Sequence, residues 1–460
     1  MELDRSLLLT LPLLMFGCAE KPAPTAEPAK PAEPAKTEAA AAKPASEPAA
    51  APVAKKTLRK REPLNVLLLT IDALRADMPW AGYPREIAPN LTRFAKQNVV
   101  FEAHRAVSSF TAQSVPAILS GRPASTLYRS GYFFAGYQDS NEFFPEVLSA
   151  KGVRTIGVQS HLYFNRGKGL NQGFDIWDMV PGITFNERSD DHVTSPKTHE
   201  LMVKHLSNPD NVKGQFFAWT HYTDPHHQWI KHAESPDFGS SERDLYDNEV
   251  HYTDQHVGKL LSWAEKQPWW EKTAVIISAD HGEAFGEHGM MQHAHELYEE
   301  LVRVPLLIRV PGAEPRRVAT PHTHVDLAPT ILELMGHETP ASVMGESLVP
   351  EIDGKPGKEK PVVLELCADN VQPARRAVVS GDWKLIRFGD KAGPEKLFNL
   401  KSDPAEKKDL SKSEPEKLGE MRGLLDSQFA KLPTVTPHGG MKLKGGGVAD
   451  GPLRPELAAR

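Results

Sequence analysis

The chain has 460 residues, a formal net charge of −6, 40% hydrophobic residues and 25% charged residues. This length is enough for one large or two modest domains with a buried core, and the composition is ordinary for a globular protein. The mild negative charge and the lack of a strongly basic segment argue against a nucleic-acid-binding surface.

Residues 1–18 have the features of an export signal. An apolar run at residues 7–16 follows Arg5; it is too short to span a bilayer but has the length of a signal-peptide core. Gly17 and Cys18 follow, and this ending resembles a bacterial lipoprotein lipobox. We expect an exported, periplasmic or cell-surface protein that is anchored to the membrane by a lipid on Cys18. A signal that is simply cleaved, or no signal at all, is the alternative.

Residues 19–61 are predicted to be a disordered linker. They consist mostly of Ala, Pro, Glu and Lys and include the quasi-repeat "EPAKPAEPAK". Such a segment buries too little apolar surface to offset its conformational entropy, so it should stay extended. The linker would give an anchored protein reach from the membrane.

Residues 62–355 are predicted to form an α/β core. Near-continuous apolar runs, which are typical of strands buried on both faces, occur at residues 65–71, 154–159, 215–220 and 273–279. Helical patterns lie between them, at residues 90–97, 141–152 and 244–267. This alternation predicts a doubly wound, mostly parallel sheet covered by helices.

Residues 356–432 are predicted to form a small C-terminal antiparallel α+β subdomain. Short strand patterns in "KPVVLELC", "RRAVVSGDWKLIRF" and "EKLFNL" precede a charged helix from about Glu414 to Lys431. Residues 433–460 are rich in glycine and poor in apolar residues, which predicts a flexible tail.

The predicted core strands are followed by carboxylate or imidazole side chains. These residues are Asp72, His161, His221 and the pair Asp280 and His281. Since the carboxyl ends of parallel strands meet at one edge of a sheet, we expect these side chains to converge there.

Each of these residues alone has a simpler interpretation, because an Asp after a strand often caps a helix and a buried His is often a satisfied core residue. Their common position makes a metal site the better interpretation. Asp72, Asp280 and His281 supply two carboxylates and one imidazole. This donor set favours Zn²⁺ or Mn²⁺, although Ca²⁺ can also be bound by it.

Five segments in order, between about residues 65 and 410, resemble the sulfatase branch of the alkaline phosphatase superfamily. They are "NVLLLTIDALRAD", "SADHGEAFGEHG", "ELYEELVRVPLLIRVPG", "HVDLAPTILELMG" and "GDWKLIR…EKLFNLKSDPAE". The resemblance implies an alkaline phosphatase-like fold, a metal-dependent hydrolase of anionic esters, and a nucleophile on a loop that leads into a helix.

The family's nucleophile motif, C/S-x-P-S-R, corresponds here to "TAQSV". The resemblance places Thr111 at the nucleophile and among the metal ligands, Ser114 at the family's serine and Val115 where arginine stands. Sulfatases of this type oxidise Cys or Ser to formylglycine, so formylglycine is not expected here. A threonine nucleophile is similar to that of the superfamily's phosphodiesterases and its phosphoethanolamine and phosphoglycerol transferases. A helix-capping role for Thr111 is the alternative.

The resemblance also assigns roles to several histidines. It implies that His161, His226 and His293, together with His221, belong to the catalytic set, and that Gln159 replaces a substrate-binding lysine. An alternative is that Asp224, His226 and His293 hold a second metal. Specificity is expected from loops 122–140 and 163–190, whose residues indicate an aromatic, partly basic rim.

The predicted function is hydrolysis of a sulfate or phosphate ester carried by a glycan, a lipid or a small molecule. The first alternative is a phosphoethanolamine- or phosphoglycerol-type transferase. The second is a catalytically inactive, surface-tethered binding lipoprotein.

Overall fold

The computed structural model describes residues 61–183, 193–389 and 391–438, and the structural statements below refer to these residues. The predicted export signal with Cys18, the linker up to residue 60 and residues 439–460 of the predicted tail lie outside them.

The described residues contain strands that fall into one large and three smaller sheets. In chain order these strands are β1 (Asn65–Ile71), β2 (Val99–Phe101), β3 (His104–Arg105), β4 (Arg154–Gln159), β5 (Ile176–Met179), β6 (Phe216–Tyr222), β7 (Thr273–Ala279), β8 (Ala284–Phe285), β9 (Met291–Gln292), β10 (Leu306–Arg309), β11 (Arg316–Val318), β12 (His322–Thr323), β13 (Val362–Leu366), β14 (Arg375–Ser380), β15 (Trp383–Phe388) and β16 (Glu395–Asn399).

The α-helices of the described residues lie mostly between these strands. In chain order they are α1 (Pro89–Gln97), α2 (Thr111–Ser120), α3 (Phe144–Ala150), α4 (Ser195–Ser207), α5 (Pro209–Val212), α6 (Glu242–Ala264), α7 (Glu299–Val302), α8 (Leu327–Leu334), α9 (Val349–Ile352) and α10 (Pro415–Phe429).

An eight-stranded sheet forms the centre of the fold, in the order β11-β2-β10-β7-β1-β6-β4-β5. β1 lies between β6 and β7 and is parallel to both, and β4 is parallel to β5 and β6. β10 runs antiparallel to β2 and β7. The sheet is therefore mostly parallel with one reversed strand.

The central strands are apolar along their length because both faces of the sheet are covered. In β1, Val66 and Leu68 belong to one buried cluster, whereas Leu67, Leu69 and Ile71 belong to another. Successive side chains of a strand point to opposite faces. Helices α2, α3 and α8 contribute to the first cluster, and α1, α4 and α6 contribute to the second. The predicted α/β fold is confirmed.

The boundaries of several elements differ from the sequence-based expectation. The run predicted at 215–220 becomes a strand that continues to Tyr222, so His221 lies within β6 and not after it. The helix predicted at 141–152 is shorter and begins at Phe144, next to Pro145. Proline is favoured in the first turn of a helix, where its missing N–H has no intrahelical partner.

Helix α2 contains a proline in its interior. Pro116 cannot donate a hydrogen bond to the carbonyl of Ala112, which lies four residues earlier. The hydroxyl of Tyr137 donates to that carbonyl instead, at 2.7 Å. A side chain from a neighbouring loop therefore supplies the partner that the proline removes. The helix ends at Gly121, whose φ of 64° is left-handed and whose N–H donates to the Ala117 carbonyl.

The predicted C-terminal antiparallel sheet is present in the order β13-β14-β15-β16. Val378 and Leu385 on one of its faces pack with Leu425 of α10, and Val379 and Ile386 belong to the core cluster that includes α2. The side-chain amide of Gln113 in α2 also pairs with the backbone of Cys367: Oε1 accepts its N–H at 2.8 Å, and Nε2 donates to its carbonyl at 3.4 Å. The domain boundary at residue 355 stays a prediction.

The described beginning of the predicted tail contacts the core. Val435 donates its N–H to the Ser125 carbonyl, and His438 donates to the Arg129 carbonyl. Within the described part of the chain, no helix is both long and apolar enough to cross a bilayer.

Candidate active site

The predicted convergence of polar residues occurs at the carboxyl ends of the central parallel strands. Asp72 follows β1, and Asp280 and His281 follow the neighbouring strand β7. His221 is the next-to-last residue of β6 and lies in register with Thr70 of β1. The parallel arrangement brings residues that are distant in sequence to one edge of the sheet.

Asp72, Asp280 and His281 form a buried group that could hold a metal ion. Each offers one ligand atom, and these atoms lie within 4.8 Å of one another. Nε2 of His281 is 3.4 Å from Oδ1 of Asp72 and 3.4 Å from Oδ2 of Asp280. Both carboxylate oxygens are buried and lack a hydrogen-bond partner. Buried charged oxygens without partners are costly, so this group fits a divalent cation.

His221 holds one of these carboxylates in place. Its Nε2 is 3.1 Å from Oδ2 of Asp72, and its Nδ1 is 2.8 Å from Oγ1 of Thr70. The indole N–H of Trp219 donates to the same threonine oxygen at 2.9 Å. His221 is fully buried, so it acts on the site through Asp72. A partner of this kind orients a metal-binding carboxylate.

The charge of Asp72 is supported by nearby imidazoles. Burial opposes its ionisation, but His226, His221 and His281 hold its pKa below the ordinary value. The carboxylate is therefore ionised and available to a cation.

Thr111 is the first residue of α2 and faces His281. Its Oγ1 lies 3.0 Å from Nε2 of His281. Nδ1 of His281 is 2.9 Å from the Gly282 carbonyl, which requires a proton on Nδ1. Nε2 is then the nitrogen that faces the threonine and the two carboxylates and that could bind a metal. The N-terminus of α2 adds a favourable field for an anion beside Thr111.

Three further histidines continue from His281 in a row. The ring of His293 stacks on His281 with centroids 4.2 Å apart, His226 lies 4.9 Å from His293, and His161 lies 5.8 Å from His226. Burial lowers the pKa of His161 to about 3 and lowers the pKa of His293 well below its ordinary value. Neutral imidazoles can each donate one N–H to an anionic substrate.

Glu283 is a residue of this site that the sequence analysis missed. Its Oε1 lies 3.1 Å from Nδ1 of His293, and its side chain is fully buried. Burial raises the pKa of Glu283 to about 8. The signal was present in "ADHGE", where a third ionisable residue follows the two metal-binding candidates.

Other predicted residues have different surroundings. Ser114 donates its hydroxyl to the Ser108 carbonyl at 2.7 Å, so it fastens the loop before α2. Gln159 is fully buried in β4, and both polar atoms of its side chain lack a hydrogen-bond partner. Substrate binding by these two residues stays a prediction.

The carboxylate of Asp224 accepts hydrogen bonds from the backbone at the start of α4. Its Oδ1 accepts the N–H of Thr194 at 2.7 Å, and its Oδ2 accepts the N–H of Ser195 at 2.9 Å. Both oxygens of Asp224 therefore have backbone partners, which does not favour the alternative of a second metal shared with His226 and His293.

Two family models match the chain. Residues 64–337 match the family described as Sulfatase, and residues 286–432 match a family described as N-sulphoglucosamine sulphohydrolase, C-terminal. Choline-sulfatase of Rhizobium meliloti is 30% identical over 200 residues, which cover 41% of this chain and 38% of that protein. The chain spans less than half of the length of this and several other curated relatives.

Solved structures share the fold. BT4656 in complex with its substrate D-glucosamine-2-N,6-O-disulfate has a TM-score of 0.67 at 18% identity, over 80% of this chain and 98% of that one. A phosphonate monoester hydrolase of Agrobacterium radiobacter has a TM-score of 0.66 at 15% identity, over 80% and 95%. At these identities the likeness concerns the fold.

Proposed function

Because this chain belongs to the sulfatase family of the alkaline phosphatase superfamily, we propose that it hydrolyses a sulfate or phosphate ester at the site around Thr111. The observation that carries the proposal is the 3.0 Å distance between Oγ1 of Thr111 and Nε2 of His281, beside two buried carboxylates. It supports the proposal because the threonine hydroxyl lies next to side chains that could hold a cation.

Members of the sulfatase family generally bind a divalent metal. In this chain Asp72, Asp280, His281 and Thr111 would hold it, with Zn²⁺ or Mn²⁺ favoured by the mixed oxygen and nitrogen donors and Ca²⁺ as a third candidate. A bound divalent cation would lower the pKa of a hydroxyl that contacts it and balance the charge of an anionic ester.

Thr111 is the proposed nucleophile. Its Oγ1 loses its proton to solvent and attacks the sulfur or phosphorus atom, the bond to the leaving oxygen breaks, and a covalent threonine ester forms. Water then hydrolyses this ester and restores the hydroxyl. The methyl group on Cβ of threonine means that oxidation would give a ketone, so the aldehyde of formylglycine is not part of this proposal.

The row of histidines is proposed to bind the ester and to donate a proton to its leaving oxygen. His293 and His161 would each donate an N–H to an ester oxygen, and His226, which lies between them, is the candidate for protonating the leaving oxygen. Glu283 would fix the ring orientation of His293.

A transferase is the second candidate, and the threonine nucleophile favours it. In that case an alcohol would accept the group from Thr111 in place of water. Product analysis with and without an added alcohol separates the two reactions, because a transferase forms a new ester only when the alcohol is present.

A panel of esters tests the proposed function. Chelator-treated protein is supplied with Zn²⁺, Mn²⁺ or Ca²⁺ and offered chromogenic sulfate monoester, phosphate monoester, phosphate diester and phosphonate monoester. Turnover of at least one ester that requires a metal and is lost in Asp280→Asn would support the proposal. Failure to bind any divalent metal, with no turnover, would favour an inactive binding protein.

We further propose that the protein is exported and carries a lipid on Cys18, on the basis of the sequence of residues 1–18. Metabolic labelling with a radioactive fatty acid tests this. Label should enter the wild-type protein and be absent from Cys18→Ala, and equal labelling of both would contradict the anchor.

A further inference from the structure

A second group of potential metal ligands comes from residues that the proposed reaction does not use. His288 lies in the turn between β8 and β9, Glu300 lies in α7, and Glu406 lies between β16 and α10. Each residue offers one ligand atom, and these atoms lie within 4.8 Å of one another. We call these three residues the second ligand group.

Two carboxylate oxygens of the second ligand group are buried without a hydrogen-bond partner. They are Oε1 of Glu300 and Oε1 of Glu406. The side chain of Glu300 is 7% exposed, and that of Glu406 is fully buried. In the described part of the chain, the Glu300 carboxylate pairs with His288 but with no lysine or arginine. Because buried charged oxygens are costly without a compensating partner, this arrangement points to a cation.

The fixed positive charges nearby do not balance the carboxylates. Lys384 lies 3.0 Å from Oε1 of Glu406, but its hydrogen bond goes to Glu299, which also pairs with Arg105. The three carboxylates at positions 299, 300 and 406 thus share two fixed cations. Burial raises the pKa of Glu300 and the pKa of Glu406 to about 7. A divalent cation would supply the missing positive charge.

The distances and donors of the group suit zinc. Nε2 of His288 lies 3.6 Å from Oε1 of Glu300. Two ligand atoms that a tetrahedral Zn²⁺ holds at about 2.1 Å lie roughly 3.4 Å from each other, so this pair needs little movement to bind the ion. Burial lowers the pKa of His288, and the neutral imidazole is the form that binds a metal.

The ring of His288 is held in position, and its side chain is 15% exposed. It stacks on Tyr298 with centroids 3.7 Å apart and an interplanar angle of 5°. A cavity of about 530 Å³ is lined in part by His288 and Glu300. This cavity would admit the ion and a water molecule as its fourth ligand.

The second ligand group joins parts of the chain that are distant in sequence. The carbonyl of Glu300 accepts the N–H of Glu283 at 3.1 Å. The carbonyl of Leu301 accepts the N–H of Gly282 at 2.8 Å. An ion bound to Glu406 as well would fasten the segment after β16 to α7 and, through α7, to the loop that follows β7.

We propose that His288, Glu300 and Glu406 bind a Zn²⁺ ion that is separate from the metal of the candidate active site. One imidazole and two carboxylates hold the ion, and water completes its coordination. The ion stabilises the fold around α7 and takes no part in ester hydrolysis. The site therefore does not depend on the proposed reaction.

Metal analysis of a protein with a disabled active-site group tests the proposal. Asp280→Asn is treated with a chelator, dialysed against Zn²⁺ and desalted, and elemental analysis should find one zinc per chain. Adding His288→Asn or Glu300→Gln should remove this zinc. Adding Glu271→Gln, at a carboxylate that is 80% exposed, should keep it. The wild type should likewise hold one zinc more per chain than Glu300→Gln alone.

Thermal unfolding gives a second measurement on the same proteins. Zn²⁺ should raise the unfolding midpoint of Asp280→Asn by at least about 2 °C, and this rise should be absent once His288→Asn or Glu300→Gln is added. Absence of zinc from Asp280→Asn, or its retention in both added variants, would overturn the site. Retention of Ca²⁺ in preference to Zn²⁺ by Asp280→Asn would overturn the choice of metal.

Discussion

Oγ1 of Thr111 and Nε2 of His281 lie 3.0 Å apart, although 170 positions separate the two residues in the chain. The first residue of α2 and the residue after Asp280 at the end of β7 are thereby placed together. In the proposed reaction, the hydroxyl of Thr111 must reach both the ester and the proposed cation-binding group, and this contact is compatible with that position.

Removing that hydroxyl should stop turnover without unfolding the protein. Thr111→Ala is expected to lower kcat at least 1,000-fold, on the order of losses seen when a nucleophile is removed. Thr111→Ser keeps the hydroxyl and should retain measurable activity. Ser109→Ala serves as the control, because this buried hydroxyl in the same loop has no hydrogen-bond partner. Near-wild-type kcat in Thr111→Ala would disprove the nucleophile.

Replacing His221 should weaken metal binding. His221→Asn removes the Nε2 contact with Asp72, and the loss of such a supporting contact typically costs 10- to 100-fold in metal affinity. Competition with a chelator measures the change. His251→Asn, on α6 beside Ser235, should keep the wild-type affinity. Equal affinities in the two variants would mean that His221 does not support the metal site.

Glu283 and His293 should act as one unit. Glu283→Gln and His293→Ala are each expected to lower kcat about tenfold or more, because both disturb the same imidazole. The double variant should then be little worse than the more damaged single variant. If the two losses in kcat multiplied fully, Glu283 would act independently of His293.

Asp254 should make stability depend on pH. Its carboxylate accepts backbone N–H groups of Asn90 and Leu91, and burial raises its pKa from 3.8 to about 6. Between these pH values the folded chain keeps a proton on Asp254 that the unfolded chain has released. Protonation of Asp254 therefore favours the folded state, and this stabilisation is lost as pH rises. The difference between the two pKa values of Asp254 corresponds to roughly 3 kcal/mol of unfolding free energy.

Denaturant titrations from pH 4 to 7 measure this dependence. In Asp254→Asn the decline in unfolding free energy across that range should be smaller than in the wild type. Asp210→Asn, at an exposed carboxylate, should retain the wild-type slope. A wild-type slope in Asp254→Asn would rule out this carboxylate as the titrating group.

Lys384 should be essential for stability. Its ammonium group is fully buried and lies 2.9 Å from Oε1 of Glu299 and 3.0 Å from Oε1 of Glu406. Lys384→Met leaves both carboxylates without this partner, which is expected to cost about 3 to 5 kcal/mol. Thermal and denaturant unfolding measure the loss. Lys401→Met, which breaks an exposed pair with Asp382, should cost about 1 kcal/mol or less. A similarly small loss in Lys384→Met would contradict the role of the buried pairs.

The main strands could be predicted because burial on both faces leaves a simple pattern. β1 and β7 are apolar at nearly every position, and their order in a parallel sheet then places Asp72 and Asp280 at one edge. The metal-binding candidates follow from that argument. Strand β3, with two residues, is too short to produce a periodic pattern, and its pairing with β12 depends on contacts between distant parts of the chain.

Contacts that depend on tertiary packing could not be predicted. Nothing near Glu283 in the sequence shows that His293 is its partner, because the loop between them sets their distance. A proline inside a helix removes one backbone hydrogen bond, and only the tertiary structure shows that Tyr137 supplies the missing partner in α2. His221 was expected to follow a strand, whereas it lies within β6, with its Nε2 3.1 Å from Oδ2 of Asp72.

The pairing of Gln113 with the backbone of Cys367 limits how this protein can be recombined with its relatives. Gln113 is two residues from Thr111, so the first turn of the helix that begins at the proposed nucleophile is held by the residue that follows β13 of the C-terminal sheet. In a chimaera that took this sheet from another family member, a different segment would contact the first turn of α2, and the hydrogen bonds of Gln113 could be lost. The two regions should therefore be exchanged together, with Gln113 and the segment around Cys367 from the same parent.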